Sequence, residues 1–582
     1  MRYILLLSIA IVSLTACNEN SNKSSMNKDN NAAFERYKEH FIDELWTIYP
    51  GWASGTGYHK YDSILIVPSQ KQRDTELAFC KRNLDSLDQY DDNSLNDNNK
   101  TDRLMIKSQL EASVWSINDE RAYEWNPSTY NVLGSFAEIL NGNYDTIDTR
   151  LRNISIRLAS VPAYYQAAMQ NIKQPTTEHT QLAIEQNLGG LSVLETDLIA
   201  ALEKSNITTE EKKIIAERAK QAIAAIKEYA AWLKALKNDN PRSFRLGKNL
   251  YAQKFNHDIQ SHYTVDEVYA KALSHKQELH SKMMAIATEL WPKYMGNTAK
   301  PADSLQLIRQ VIDKISLQHT QPDSFQATIE KQIPELTAFV NEKKLIYLDP
   351  SKPLVVRREP DYMAGVAGAS ISAPGPYDKN GNTYYNVGSF AGWDAPRAES
   401  YLREYNNYTL QILNIHEAIP GHYTQLVYSN QSPSLIKAIL GNGTMIEGWA
   451  VYSEIMMLEN GYGNNMPEMW LMYYKWNLRS TCNMILDYNV HVKDMSKEQA
   501  MQLLVNEAFQ QQAEAEGKWR RVTLTQVQLC SYFTGYTEIY ELREELKKKI
   551  GNKFDLKAFH EKFLSYGSAP VKYIRELMLK EQ

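Results

Sequence analysis

The residues with the clearest chemical potential lie within Asn414-Ile415-His416-Glu417-Ala418-Ile419-Pro420-Gly421-His422-Tyr423. Two imidazoles flank a carboxylate, and a mostly apolar run, Leu410 to Ile415, leads into them. Zinc and similar borderline-soft ions take neutral imidazole nitrogens, and a neighbouring carboxylate then serves as general base toward metal-bound water. The familiar arrangement is His-Glu-x-x-His on one helix, with ligands at i and i+4, about one turn apart. In this chain position i+4 is Pro420, which cannot bind metal, and the second imidazole comes at i+6. On a regular helix i+6 points about 240° away from i. Pro420 removes a backbone donor and Gly421 permits unusual dihedrals, so a bulge or break there returns His422 to the side of His416. The competing reading is a kinked core helix with two incidental histidines.

A second stretch runs from Gly443 through Glu447 to Glu454. Its apolar positions Ile446, Trp449, Ala450, Ile455 and Met456 fit a buried helix face. Glu447 and Glu454 are then partly buried, and a buried carboxylate needs a partner, of which a metal is one kind. Catalytic zinc is commonly held by two His and one Glu, with a position left for water. Glu447, the first carboxylate after His422, is the expected third ligand. Glu454, about two turns later on the same face, is expected to support a ligand from behind. Otherwise Glu447 is an ordinary acidic residue near a helix N-terminus.

His416-Glu417-x-x-Pro420-Gly421-His422, followed by Glu447-Gly448-Trp449-Ala450-x-Tyr452-x-Glu454, resembles the bacterial domain-of-unknown-function family 885. That family is similar to the gluzincin metallopeptidases of the carboxypeptidase Taq and thimet oligopeptidase types. The resemblance covers most of the chain. It includes Arg150-Leu151-Arg152-Asn153, Arg157-Leu158 and Pro162, then Tyr384-Tyr385-Asn386. Near the C-terminus it includes Tyr532-x-x-Gly535, Leu542-Arg543, and Phe554-Asp555-Leu556-x-x-Phe559-His560 with Gly567. Many members have a second His directly after the motif, where this chain has Tyr423, and a Pro-Gly pair that is absent around Leu524 to Gln526.

The resemblance implies a large, mainly α metallopeptidase fold, with a small β-sheet next to the metal-binding helix and a cleft between two lobes. It implies that a strand over Tyr384 to Phe390, including Tyr385 and Asn386, forms a sheet edge that pairs with substrate backbone. A structural hairpin is the alternative. Amide hydrolysis builds negative charge on the carbonyl oxygen, so a phenol, imidazole or guanidinium aimed there lowers the barrier. Tyr532, Tyr536 and His560 are candidates for that contact with substrate. Arg543 pairs either with a substrate carboxylate or with a buried acid as structural support.

The elements that must position these residues follow from the rest of the chain. Residues 1–17 read as a lipoprotein signal: Arg2, an apolar core from Ile4 to Leu14, then Leu14-Thr15-Ala16-Cys17. The lipobox resemblance implies acylation at Cys17 and an extracytoplasmic protein anchored to a bacterial membrane through lipid alone. Residues 18–33, polar and rich in Asn, Ser and Lys, read as a flexible tether. A net charge of -5 over 582 residues excludes the strongly basic footprint of a nucleic-acid binder. Cys80, Cys482 and Cys530 make no disulfide framework, so a packed core must hold the fold.

Residues 34–343 read as one helical lobe, with helices over 101–115, 149–172, 177–202, 208–236 and 264–290. His257, His262, His275 and His280 lie in it without ligand spacing. Residues 344–582 read as the lobe carrying the metal site. It opens with short β-like runs at Leu345–Leu348 and Leu354–Val356, a Gly-, Ala- and Pro-rich loop over 364–376, and an Asn380-Gly381-Asn382 turn. Later, Trp470, Tyr473, Tyr474 and Trp476 read as core or cleft wall, and residues 507–521 as a polar helix.

The expectation is therefore a zinc-dependent peptidase hydrolysing short peptides. His416, His422 and Glu447 hold one zinc ion and Glu417 is the base. Two alternatives stand beside it. One is a zinc hydrolase of a non-peptide amide; the other is a peptide-binding or structural lipoprotein without catalytic metal.

Overall fold

The protein, a computed structural model, is described over residues 12–359, 369–378 and 381–581. The start of the expected signal, the first part of the Gly-rich loop and Asn380 of the expected turn lie outside these residues. Among these residues the architecture is mainly α with one three-stranded sheet. Among the described residues no helix is long and apolar enough to cross a membrane.

The first helix, α1 (Val12–Ile48), includes the segment read as a tether. No Gly or Pro interrupts residues 12–48. Packing of Phe34, Phe41, Leu45 and Trp46 in the core nucleates the helix, and propagation toward the N-terminus then adds a bond per residue. Long helices begin where caps were expected. Thr208 forms a reciprocal capping box with Glu211 ahead of α2 (Thr209–Ala235), and Thr264 one with Glu267 ahead of α3 (Val265–Met295). Two expected helices are each broken. Residues 149–172 divide at Ser160, with Pro162 in the first turn of the second piece, and residues 177–202 divide at Gly189–Gly190.

Two hydrophobic cores form. One is confined to buried residues between Tyr130 and Leu233. The other draws on residues from Phe34 to Met578 and includes both Val340 and Leu345, so packing is continuous across residue 343. Cys80, Cys482 and Cys530 are free thiols within this larger core.

The sheet contains β1 (Leu354–Arg358), β2 (Ala369–Ser372) and β3 (Thr383–Val387). Leu345–Leu348 stays outside it. β3 lies in the middle, parallel to β1 and antiparallel to β2, with Tyr385 opposite Val356 and Ile371. This corrects the expectation of an edge strand at Tyr384–Phe390. Both hydrogen-bonding sides of β3 are taken, and it is buried on both faces, as Tyr385 and Asn386 show. Asn386 receives the Arg357 Nε–H at 2.7 Å and donates to Ser372 Oγ at 2.7 Å. The Arg357 guanidinium lies 3.8 Å from the Tyr384 ring centre. These four side chains organise the sheet.

The site is built on six further helices: α4 (Thr409–Glu417), α5 (His422–Asn430), α6 (Gly443–Glu459), α7 (Pro467–Val492), α8 (Gln512–Leu524) and α9 (Cys530–Ile550). Helices α6 and α9 touch backbone to backbone at glycines. A Cβ on Gly448 would meet Gly535 Cα at 2.4 Å, and one on Gly535 would meet the Thr444 carbonyl oxygen at 2.0 Å. Gly535→Ala is therefore expected to destabilise the protein by about 3 kcal/mol, because backbone cannot yield as a side chain does. Urea unfolding measures this; an unchanged midpoint would mean the helices have room between them.

Candidate metal centre

The motif breaks as its Pro-Gly pair demands. Helix α4 ends at Glu417, Ala418 takes φ −111° and ψ −88°, and α5 resumes at His422. The Gly421 N–H donates to the Ile415 carbonyl at 3.0 Å, folding the chain back under the end of α4. Gly421 is needed for space: its φ is an ordinary −73°, but a Cβ would lie 1.9 Å from the His416 carbonyl oxygen. The Trp449 indole donates to the Pro420 carbonyl at 2.9 Å and pins this break against α6. From the other side, the Tyr385 hydroxyl donates to Asn414 Oδ1 at 2.7 Å, so the sheet fixes α4 two residues before His416.

The two imidazoles consequently meet, with ring centres 4.8 Å apart and planes at 87°. Glu447, in the first turn and a half of α6, brings Oε2 to 3.4 Å from His422 Nε2 and 3.8 Å from His416 Nε2. Ligand atoms of the three residues lie within 4.8 Å of one another, the only such group among the described residues. Zinc bonds of about 2.0–2.1 Å in a tetrahedron separate ligand atoms by roughly 3.4 Å. Glu447 Oε2 is buried and receives no hydrogen bond. A buried orphan carboxylate oxygen facing two imidazoles fits a divalent cation.

Electrostatics agree with that donor set. Burial, seconded by His422, drives the His416 imidazole down to about 3 against the pull of Glu447, so it is neutral. Burial also opposes charge on His422, but Glu447 and Glu417 outweigh it and raise its pKa. A metal would take the place of that proton. Burial likewise opposes charge on Glu447, but His422 and His416 hold it below its ordinary value. Glu417, at the end of α4, is pushed up to about 7 by burial, with His422 opposing and Glu447 adding.

Glu454 lies behind His416, on the side away from Glu447. Its Oε1 accepts from the Trp476 indole at 2.9 Å and from His416 Nδ1 at 2.8 Å. An indole can only donate, which marks Oε1 as the acceptor and puts the imidazole proton on Nδ1. His416 Nε2 then carries its lone pair toward Glu447, the tautomer a metal requires. Tyr532, on α9, also belongs to the site: its hydroxyl accepts from Arg521 Nη2 at 3.1 Å, and the Glu447 charge acts on it.

Three expected contacts with substrate are corrected. His560 is wholly buried, donates Nδ1–H to the Leu345 carbonyl at 2.8 Å, and accepts the Tyr452 hydroxyl at Nε2 at 2.8 Å. Both nitrogens are spent behind α6, leaving none for a reacting oxygen. Tyr536 is buried in an aromatic cluster with Tyr473, Tyr540 and His275. Arg543 pairs with Glu459 at 2.7 Å and Glu544 at 2.8 Å, which is the structural alternative. His275 and His280 bond Asn477 and the Glu507 carbonyl, and His262 pairs with Glu538. Arg479, three residues after Trp476 on α7, was not expected at the site; Trp476 was expected only as core or cleft wall, and Arg521 only as part of a polar helix. Their signal was helical spacing alone.

Burial pushes two histidines, His560 and His179, down to about 4. Their ordinary value is about 6.5, so the unfolded chain binds protons that the folded chain refuses. The stability this contributes is complete above about pH 6.5 and is lost as pH falls toward 4, by up to about 3 kcal/mol per histidine. Urea midpoints across this window should fall, with a shallower slope in His179→Gln. Equal slopes would show that His179 is not held neutral.

Residues 50–578 match the DUF885 family, described as bacterial protein of unknown function. A solved structure of a predicted lipoprotein of unknown function from Shewanella oneidensis superposes with a TM-score of 0.86. The two are 54% identical, over 94% of this chain and 99% of that one. The crystal structure of a predicted lipoprotein from Colwellia psychrerythraea superposes with a TM-score of 0.74. It covers 96% of this chain and 100% of that one at 16% identity, a likeness of fold alone. No curated protein matches the chain. With 529 consecutive positions (50 to 578 inclusive) accounted for, the chain belongs to the DUF885 family of bacterial proteins of unknown function.

Proposed function

We propose that this protein is a zinc-dependent peptidase that hydrolyses short peptides outside the cytoplasm. The observation that carries the reading is the convergence of His416, His422 and Glu447 across the Pro-Gly break, with Glu417 beside them and Glu454 behind. Two histidines and a carboxylate favour zinc among the available divalent ions. When bound, the ion supplies Lewis acidity, polarising a carbonyl and acidifying water.

The chain's own residues supply the rest. Glu454 fixes the His416 tautomer through Nδ1. The Glu417 carboxylate takes the proton of the attacking water and returns it to the departing amine nitrogen. The Tyr532 hydroxyl accepts from Arg521, so its own proton is free to be donated to the developing oxyanion. Resemblance to oligopeptidases with deep clefts supports short peptides as substrates. A lipid anchor at Cys17 is supported by the lipobox and by the Shewanella oneidensis relative described as a predicted lipoprotein.

The test is incubation of the zinc-supplied protein with a mixture of short peptides, read by mass spectrometry with and without a chelator. The expected result is new peptide fragments that disappear with chelator. Intact peptides throughout, with stoichiometric zinc present, would contradict the peptidase reading.

A further inference from the structure

Beside the metal centre, α7 and α8 place four basic side chains, Lys475, Arg479, Lys518 and Arg521. Lys475 pairs with Glu404 at 2.7 Å, and Arg479 with Glu514 at 2.5 Å. Burial, with Arg479 and Arg521 adding and Glu514 and Glu404 opposing, holds the Lys518 amine well below its ordinary pKa. Of these four basic side chains, Lys518 and Arg521 have no ion pair among the described residues. Lys518 is only 4% exposed and its Nζ has no hydrogen-bond partner. Arg521 is half-buried, and its Nη2 donates to two neutral groups, Tyr532 Oη at 3.1 Å and Gln528 Oε1 at 2.7 Å. No ion pair engages it among the described residues, and its Nε and Nη1 donors remain free for another acceptor.

These charges border the reacting region. Arg521 acts on Glu447 and Tyr532, while Arg479 acts on His416, Glu417 and Glu454. Glu447 itself is turned toward the two histidines. A buried ammonium with no partner is strongly unfavourable, so Lys518 is driven toward its neutral amine unless an anion is bound beside it. A bound anion supplies what the chain leaves out. The free Nε–H and Nη1–H donors of Arg521 can each take a carboxylate oxygen as a single charge-assisted hydrogen bond, and the Lys518 amine, protonated once an anion is bound, adds a point charge.

We propose that Arg521, backed by Lys518, holds a carboxylate of the substrate, so that the protein acts on peptides presenting a carboxylate near the scissile bond. This rests on the peptidase reading for the ligand's being a peptide. The carboxylate comes from either a free C-terminus or an Asp or Glu side chain.

Calorimetric titration of the full-length, detergent-solubilised Glu417→Gln protein, supplied with zinc, tests this with three peptides. They are acetyl-Ala-Ala-Ala as free acid, the same peptide as C-terminal amide, and acetyl-Ala-Asp-Ala amide. At least one acid-bearing peptide is expected to bind about tenfold tighter than the neutral amide. Preference for the free acid alone assigns the terminus; preference for the Asp peptide alone assigns the side chain. Arg521→Gln and Lys518→Met are expected to bring the ratio to within about twofold. Arg521 is half-buried, so its variant does not depend on tolerance in the core. Equal binding of all three peptides, binding of none, or a preference that survives both substitutions would overturn the proposal. Wild type incubated with the same peptides separates the two readings. Absence of cleavage there counts against the peptidase, while the calorimetric ratio alone decides the carboxylate.

Discussion

Gly421→Ala is expected to destroy the metal centre while replacing a single hydrogen by a methyl group. The added Cβ would lie 1.9 Å from the His416 carbonyl oxygen, 2.3 Å from that of Ile415 and 2.5 Å from the His416 carbonyl carbon. All three are backbone atoms at the end of α4, so no rotamer change relieves the overlap. Either α5 moves away from α4, or the Gly421 N–H loses the Ile415 carbonyl. Both outcomes carry His422 away from His416 and Glu447. The cost in stability should be about 3 kcal/mol or more. Zinc affinity should fall at least about 100-fold, since ligand placement is what the break provides. Competition for zinc with a chromophoric chelator, beside thermal unfolding, measures both. Wild-type affinity and unfolding temperature in this variant would contradict the close approach of the two helices.

Glu417→Gln is expected to do the reverse, keeping the fold and the metal while removing the reaction. Glutamine has the same shape, and Glu417 is the neighbour of a ligand rather than one of the three converging side chains. What is lost is a carboxylate able to accept a proton and give it back. General acid–base catalysis contributes typically 10²–10⁴-fold, so kcat should fall by about that factor, roughly 3–5 kcal/mol of barrier. Initial rates on any peptide found to be cleaved, with zinc content measured on the same samples, provide the check. A variant that keeps zinc and activity together would remove Glu417 from the mechanism.

Much of this arrangement was legible because local chemistry determines it. Thr208 and Thr264 announce helix starts, since a side-chain oxygen three residues before a Glu can satisfy otherwise orphaned N–H groups. Pro420 and Gly421 announce a break because neither continues a helix. Glu447 and Glu454 share a helix face by spacing alone, and the metal cluster follows from putting that face against the break. Positions set by long-range packing were not legible. The central place of β3 depends on which strands flank it, and its parallel partner β1 lies 29 positions earlier in the sequence. His560, Tyr536 and Arg543 have the right functional groups, but only tertiary contacts show them spent on Leu345, Tyr473 and Glu459. The polar character of residues 507–521 concealed a buried stripe. Glu514, Lys518 and Arg521 recur at intervals of four and three, whereas Glu516 and Arg520 face outward to Gln512 and Glu185.

The measurement that bears most directly on the account is metal content by elemental analysis of the purified protein, beside His422→Ala and Glu447→Ala. About one zinc per wild-type chain is expected, and substantially none in either variant, with both variants folded by circular dichroism. A wild-type protein that takes up no metal when zinc is supplied at neutral pH would contradict it, as would variants that keep zinc at the wild-type level.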